Sequence, residues 1–163
     1  MKYYSVIIIW LLTFAGNAQN SISELLERHN TKNIPYISIQ EMAMPKTQFI
    51  ILDAREKNEF EISHIKNAVL VGYNSFELDS ILKKITDKKS KIVVYCSVGI
   101  RSEKIASKLK KAGCTNVYNL NGGIFEWKNN DFPIYNIRNI ETDSIHAYSK
   151  KWDKWLNNGI KVF

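Results

Sequence analysis

Two nearly unbroken apolar runs, Phe49–Asp53 (FIILD) and Lys91–Tyr95 (KIVVY), constrain this chain more than any other feature. A strand that is apolar at consecutive positions is covered on both faces, which is the condition of a parallel sheet between two helical layers. Three further β-rich runs, Tyr36–Ile39 (YISI), Ala68–Val71 (AVLV) and Asn116–Leu120 (NVYNL), are separated by helical or turn-forming stretches. Phe76, Leu78, Ile81, Leu82 and Ile85 share roughly one helical face. Over residues 102–112, Ile105, Ala106, Leu109 and Ala112 form an apolar stripe, with Lys104, Lys108, Lys110 and Lys111 away from it and Gly113 as the stop. The expected fold is α/β: a five-stranded, mainly parallel sheet with helices on both faces, joined by right-handed crossovers.

Composition closes off other classes. With 163 residues, 45% hydrophobic and 24% charged, the chain suits one globular domain and neither a disordered tail nor a coiled coil. Two Cys and three His are too few for a disulfide framework or a zinc cluster, so no metal or cofactor is expected. Met1–Ala18 reads as a secretory signal peptide: Lys2 is the n-region, Val6–Leu12 the apolar core, and Gly16 and Ala18 the small residues of a cleavage site. Its apolar run is shorter than the roughly 20 residues of a membrane-spanning helix. The protein is therefore expected to be exported, periplasmic or secreted, with no stable membrane insertion after cleavage. Removing Lys2 lowers the net charge from +7 to +6 (7 − 1). That surplus is expected on solvated helix faces and favours small anions over nucleic acid. Residues 19–33 are expected to form a helical extension (Ile22, Leu25 and Leu26 at helical spacing), residues 34–135 the domain, and residues 136–163 an aromatic, basic extension that packs on it.

Ligands of such sheets bind beyond the carboxyl ends of the strands. There, after Tyr95, stands Cys96-Ser97-Val98-Gly99-Ile100-Arg101, followed at once by an amphipathic helix. A thiol facing a helix N-terminus meets unpaired N–H groups and the positive end of the helix dipole, and both favour thiolate, the nucleophilic form. Gly99 permits a positive φ that turns N–H groups inward as an anion cradle, and Arg101 adds a permanent cation. Cys96 is the expected nucleophile, and Ser97, Val98, Gly99, Ile100 and Arg101 the expected substrate-binding loop.

Three ordered motifs carry a resemblance. Asp53-Ala54-Arg55-Glu56-Lys57-Asn58-Glu59-Phe60 with Ser63-His64-Ile65-Lys66-Asn67-Ala68 is similar to D-x-R-E-x-x-E-[FY]…G-H-I-x-x-A; Cys96–Ser102 to C-x-x-G-x-R-S; and Asn121–Trp127 to [EN]-G-G-[IF]-x-x-W. Over residues 34–135 the chain resembles the single-domain rhodanese family of sulfurtransferases. The resemblance implies a five-stranded parallel sheet and a persulfide on Cys96 as covalent intermediate, with sulfur passing from a small sulfur-containing anion such as thiosulfate to a thiol, cyanide or a thioredoxin-like protein. The spacing C-x4-R is one residue shorter than the C-x5-R loop of the related cell-cycle phosphatases and arsenate reductases, which tightens the cradle around a single sulfur. Ser97 and Val98 stand where some family members carry Arg or Lys, leaving Arg101 as the loop's one full charge. A reading of another class is a rhodanese-fold module that recognises a partner with little turnover.

Asp53 and Arg55 are supporting candidates. Asp53 closes a strand on the same sheet edge as Cys96 and is a potential acceptor near the loop; Arg55 has Glu56, Glu59 or the substrate as prospective partners. Alternatively Asp53, Arg55 and Glu59 form a structural ion-pair network. His64 is expected to order the turn before the third strand, and His29 and His146 lack partners at ligand spacing. Cys96 and Cys114 fall at opposite ends of neighbouring strands, about 15 Å apart, too far for a disulfide.

Overall fold

The computed structural model describes residues 21–45 and 47–163; the expected leader Met1–Ala18 lies outside the described residues. Strands β1 (Tyr36–Ile37), β2 (Ile50–Asp53), β3 (Val69–Leu70), β4 (Lys91–Tyr95) and β5 (Asn116–Leu120) form one sheet in the order β1-β5-β4-β2-β3. Every pairing in it is parallel. The two most apolar runs are central neighbours, with Ile50 to Asp53 in register with Ile92 to Tyr95.

The pleat sorts β4 between two cores. Val93 and Tyr95 pack with Ile39 and Met42 of α2 (Ile39–Met42) and with Ile124 and Phe125 of α6 (Gly123–Asn129). Ile92, Val94 and Cys96 pack on the other face with Ile81 of α4 (Leu78–Lys84) and Ile105 and Leu109 of α5 (Ile100–Lys111). Ile92, Val93 and Val94 are inaccessible to solvent, and burial of each contributes about 1.5–3 kcal/mol.

Strand β1 is shorter than the YISI run. Ser38 accepts the Glu41 N–H at 3.1 Å, and this cap starts α2 at Ile39. Helix α1 (Ile22–His29) is likewise capped by Ser21, which accepts the Glu24 N–H at 3.1 Å. Just past its end, the Asn30 side-chain amide donates to the Gly99 carbonyl at 3.0 Å, tying this helix to the Cys96 loop.

Residues 145–156 form no α-helix. Strand β6 (Ile134–Tyr135) pairs antiparallel with β7 (Glu141–Thr142), β8 (Ser144–His146) pairs parallel with β9 (Ile160–Val162), and a 3₁₀ turn spans Asp153–Trp155. Ile145, Ala147 and Leu156 are buried in the same core as Val93 and Tyr95. No helix among the described residues is long and apolar enough to cross a membrane.

Candidate active site

Strand β4 lies between β2, whose next strand β3 runs outward, and β5 on the opposite side. Its carboxyl end is thus the switch point of the sheet, and Cys96 is the first residue beyond it. The Gly99 N–H donates to Cys96 Sγ at 3.2 Å and the Ser102 hydroxyl at 3.5 Å. Gly99 adopts φ +115°, and a Cβ there would sit 3.2 Å from Leu26, so the turn that aims this N–H at sulfur needs glycine. Burial pushes the thiol pKa up, but the Arg101 charge, the Ser102 hydroxyl and N–H, and the Gly99 N–H together bring it below the ordinary thiol value. Cys96 is thereby biased toward thiolate.

Arg101 is engaged elsewhere than expected. Its fork grips Glu59, Nη1 to Oε2 at 2.6 Å and Nη2 to Oε1 at 2.7 Å, and Nη2 also donates to Ser97 Oγ at 3.0 Å. The Ser97 hydroxyl in turn donates to Glu59 Oε1 at 3.2 Å. Arg101 therefore acts on the Cys96 sulfur through its charge and not through a hydrogen bond. Glu59, on α3 (Lys57–Ile62), is buried and also accepts the Glu56 N–H at 3.0 Å. Burial raises its pKa, but the hydrogen bonds and charge of Arg101, the Glu56 N–H and the Arg55 charge leave it below the usual carboxylate value.

Asp53 and Arg55 are bound to each other, and Arg55 bears on the loop as a charge beside Glu59 and Arg101. Arg55 Nη2 donates to Asp53 Oδ2 at 2.7 Å and to the Ser63 carbonyl at 2.6 Å, and the Arg55 backbone N–H reaches Asp53 Oδ1 at 2.9 Å. Both residues have zero exposure. Arg55 forms its ion pair with Asp53, not with Glu56 or Glu59. A charge removed from water is tolerated only with its partner in place, so this pair fixes the turn from β2 into α3.

The Asn121-Gly122-Gly123 turn holds the loop from below. At the start of α6 the Ile124 N–H donates to the Cys96 carbonyl at 2.9 Å and the Phe125 N–H to the Ser97 carbonyl at 3.1 Å. A Cβ on Gly123 would lie 2.3 Å from the Cys96 carbonyl oxygen, so the approach excludes any side chain. Ser102 joins this support, its single O–H divided between Asn119 Oδ1 at 2.7 Å and Cys96 Sγ at 3.5 Å. The three sequence motifs thus meet at one loop: Glu59 from the first, Cys96 to Ser102 from the second, Gly123 from the third.

Above the sulfur opens a cavity of about 200 Å³ lined by Cys96, Ser97, Val98, Ile100, Arg101, Tyr148 and Trp152. Gly99 lies beneath it as a donor and is not among the lining residues. Tyr148 and Trp152 come from the C-terminal extension, whose aromatic content marked a packing surface but gave no register relative to Cys96. Glu59 as the partner of Arg101, and Ser102 as a donor to sulfur, were also missed as site residues, although both stand inside the quoted motifs. A larger cleft of about 560 Å³, bordered by Ser21, Asn129 and Trp155, contains no sulfur nucleophile.

His64 orders a turn: its Nδ1 lies 3.1 Å from the Phe60 carbonyl, its ring stacks on Phe60 at 4.0 Å, and its backbone N–H donates to the Tyr135 carbonyl at 2.8 Å. Cys96 and Cys114 are both free and buried. Burial pushes the Cys114 thiol pKa up, with Lys88 opposing. Among the described residues no three His, Cys, Asp or Glu side chains gather as a metal site.

Comparison with known proteins agrees with this geometry. A tRNA uridine(34) hydroxylase of Aster yellows witches'-broom phytoplasma is 39% identical over 97 residues, covering 56% of this chain and 32% of that protein. The chain spans about a third or less of the length of the curated relatives it matches. Thiosulfate sulfurtransferase from Pseudomonas aeruginosa superposes with a TM-score of 0.57 at 23% identity, over 68% of this chain and 21% of that one. The rhodanese-like domain of an Anabaena protein gives 0.56 at 23% identity, over 63% and 80%. At such identities the likeness is one of fold. The model of the rhodanese-like domain, however, matches residues 38–130, more than half of the chain, and this protein belongs to that family.

Proposed function

We propose that the protein is a sulfurtransferase that carries sulfane sulfur as a persulfide on Cys96. The observation that supports this most is the thiol itself, at a cavity floor, accepting the Gly99 N–H at 3.2 Å and held below the ordinary thiol pKa against the penalty of its burial by Arg101, Ser102 and Gly99. In the first half-reaction the Cys96 thiolate attacks the outer sulfur of a donor such as thiosulfate. The donor S–S bond breaks, sulfite leaves with the electron pair, and Cys96 holds S–S⁻. In the second, a thiophilic acceptor attacks that outer sulfur and the Cys96 thiolate leaves. The two steps split one transfer between nucleophiles that never need to meet.

The acceptor we infer is a low-molecular-weight thiol or a thioredoxin-like protein, and the working compartment, from the Met1–Ala18 segment, is the periplasm or the exterior. The tRNA chemistry in the relatives' name belongs to those longer proteins, and a thiol nucleophile under apolar walls favours sulfur transfer here. Intact mass after donor treatment tests the reading. A gain of one sulfur atom that is absent in Cys96→Ser is the expected result. A gain that persists in Cys96→Ser overturns the mechanism, and no gain from any donor leaves a partner-recognition module with little turnover.

A further inference from the structure

We infer that Tyr148 and Trp152 of the C-terminal extension make this site select sulfane sulfur carried on a small apolar organic group over the inorganic dianion thiosulfate. The inference rests on the sulfur-transfer reading of Cys96 and names its donor class.

Charge is the first ground. Among the described residues Arg101 is the one cationic side chain lining the cavity, and both arms of its fork are bound to Glu59 at 2.6 and 2.7 Å. Glu59 offsets part of the Arg101 charge, and what remains already faces the Cys96 thiolate. A dianion entering would shed its water against a cation whose fork is already bonded, which forfeits a direct charge-assisted contact.

Shape is the second. Val98, Ile100, Tyr148 and Trp152 supply apolar walls. The Tyr148 ring lies over the Arg101 guanidinium at 4.8 Å and meets Trp152 edge-on at 6.4 Å, so an aromatic surface covers what cationic face remains.

This wall is fixed in place. Tyr148 holds φ +65°, a conformation that costs a non-glycine residue on the order of 1 kcal/mol or more. The strain is held by the Tyr148 N–H donating to His146 Nδ1 at 3.0 Å and by Ala147, which is fully buried on one side of it. On the other side the Trp152 backbone N–H donates to the Ser149 carbonyl at 2.9 Å. A pre-set aromatic surface binds an apolar group without first being ordered.

The donor class that fits is an organic hydropersulfide, R–S–SH with R small and apolar. The Cys96 thiolate bonds to the outer sulfur, the donor S–S bond breaks, and R–S⁻ leaves with the electron pair. Cys96 then holds S–SH, which releases its proton to solvent.

Three stable probes deliver the same sulfur: thiosulfate, the methanethiosulfonate anion and the benzenethiosulfonate anion. The single-turnover rate of sulfur gain at Cys96 is read by intact mass, each probe normalised to its rate with free cysteine. The two thiosulfonates carry equal charge and differ in apolar surface. Benzenethiosulfonate is expected to load about tenfold faster than methanethiosulfonate, the scale of one buried apolar group, with thiosulfate slowest. Trp152→Ala and Tyr148→Asn bring the benzene-to-methane ratio toward one. Asn tolerates the left-handed backbone, and position 148 is half exposed, so the second variant keeps the test sound should the first fail to fold. A ratio near one in the parent, a ratio unchanged in Tyr148→Asn, or thiosulfate matching the thiosulfonates overturns the inference. Sulfur gain from inorganic polysulfide alongside unranked thiosulfonates overturns only this donor preference, whereas no gain from any of the four donors overturns the sulfur-transfer reading itself.

Discussion

At the scale of single residues, the chemistry reduces to how three groups hold one sulfur against its own burial. Ser102 offers its one O–H to this sulfur and to the buried Asn119 Oδ1, so its removal is felt at both. Ser102→Ala is expected to raise the Cys96 pKa by about one unit, since a unit corresponds to ~1.4 kcal/mol and a hydrogen bond to a charged group is of that size. The pH profile of Cys96 alkylation by mass spectrometry reads the shift, and an unmoved midpoint would exclude Ser102 from the cradle. Glu59→Gln leaves Arg101, whose side chain is 16% exposed, without its anion, and should cost about 3 kcal/mol in urea unfolding, the range for breaking a largely buried pair. The Glu59 carboxyl is held below its unfolded value of about 4.3, first against burial and then by Arg101. The pair therefore stabilises fully above that value and loses its contribution as pH falls through the lower, folded one. Acid unfolding of the parent should show this loss and Glu59→Gln should not. Residue types were legible in the sequence: Cys96 and Arg101 stand out by position. Their partners were not, because Glu59 precedes Arg101 by 42 positions and nothing local dictates that the fork turns to it.

At the scale of elements, the loop is a product of its neighbours. Strand β4 delivers Cys96 to the switch point, α5 supplies donors from above, and α6 binds the loop carbonyls from below. Gly123→Ala would set a methyl 2.3 Å from the Cys96 carbonyl oxygen at φ +57°. The loop must then move, and the variant is expected to lose about 3 kcal/mol, in the upper range for backbone strain, together with the low alkylation midpoint of Cys96. Retention of both would mean that α6 does not position the loop. Strands β4 and β5 have the bounds that KIVVY and NVYNL indicated, and β2 begins one residue later than the FIILD run. The YISI run ends early because a local cap outcompetes β-propensity: Ser38 with Glu41 three positions on starts a helix that its β-branched neighbours obscured.

At the scale of the molecule, the C-terminal extension is part of both core and site. Ile145, Ala147 and Leu156 are buried against the sheet, while Tyr148 and Trp152 between them wall the cavity. Leu156→Ala is expected to lower stability by 2–4 kcal/mol, roughly the span for a buried Leu. A cost under about 0.5 kcal/mol would show that the extension is only draped on the surface. The parallel sheet was readable from composition and period, as both follow from two-sided burial. The placement of the extension was not, since β8 pairs with β9 by a parallel return that no periodicity announces.

The account stands on Cys96 being a stabilised thiolate, and its alkylation rate as a function of pH, with the label located by mass spectrometry, tests that most directly. A midpoint clearly below the free-thiol value of about 8.5 is the expected result. A midpoint at or above it would mean that burial outweighs Arg101, Ser102 and Gly99, and would contradict the account.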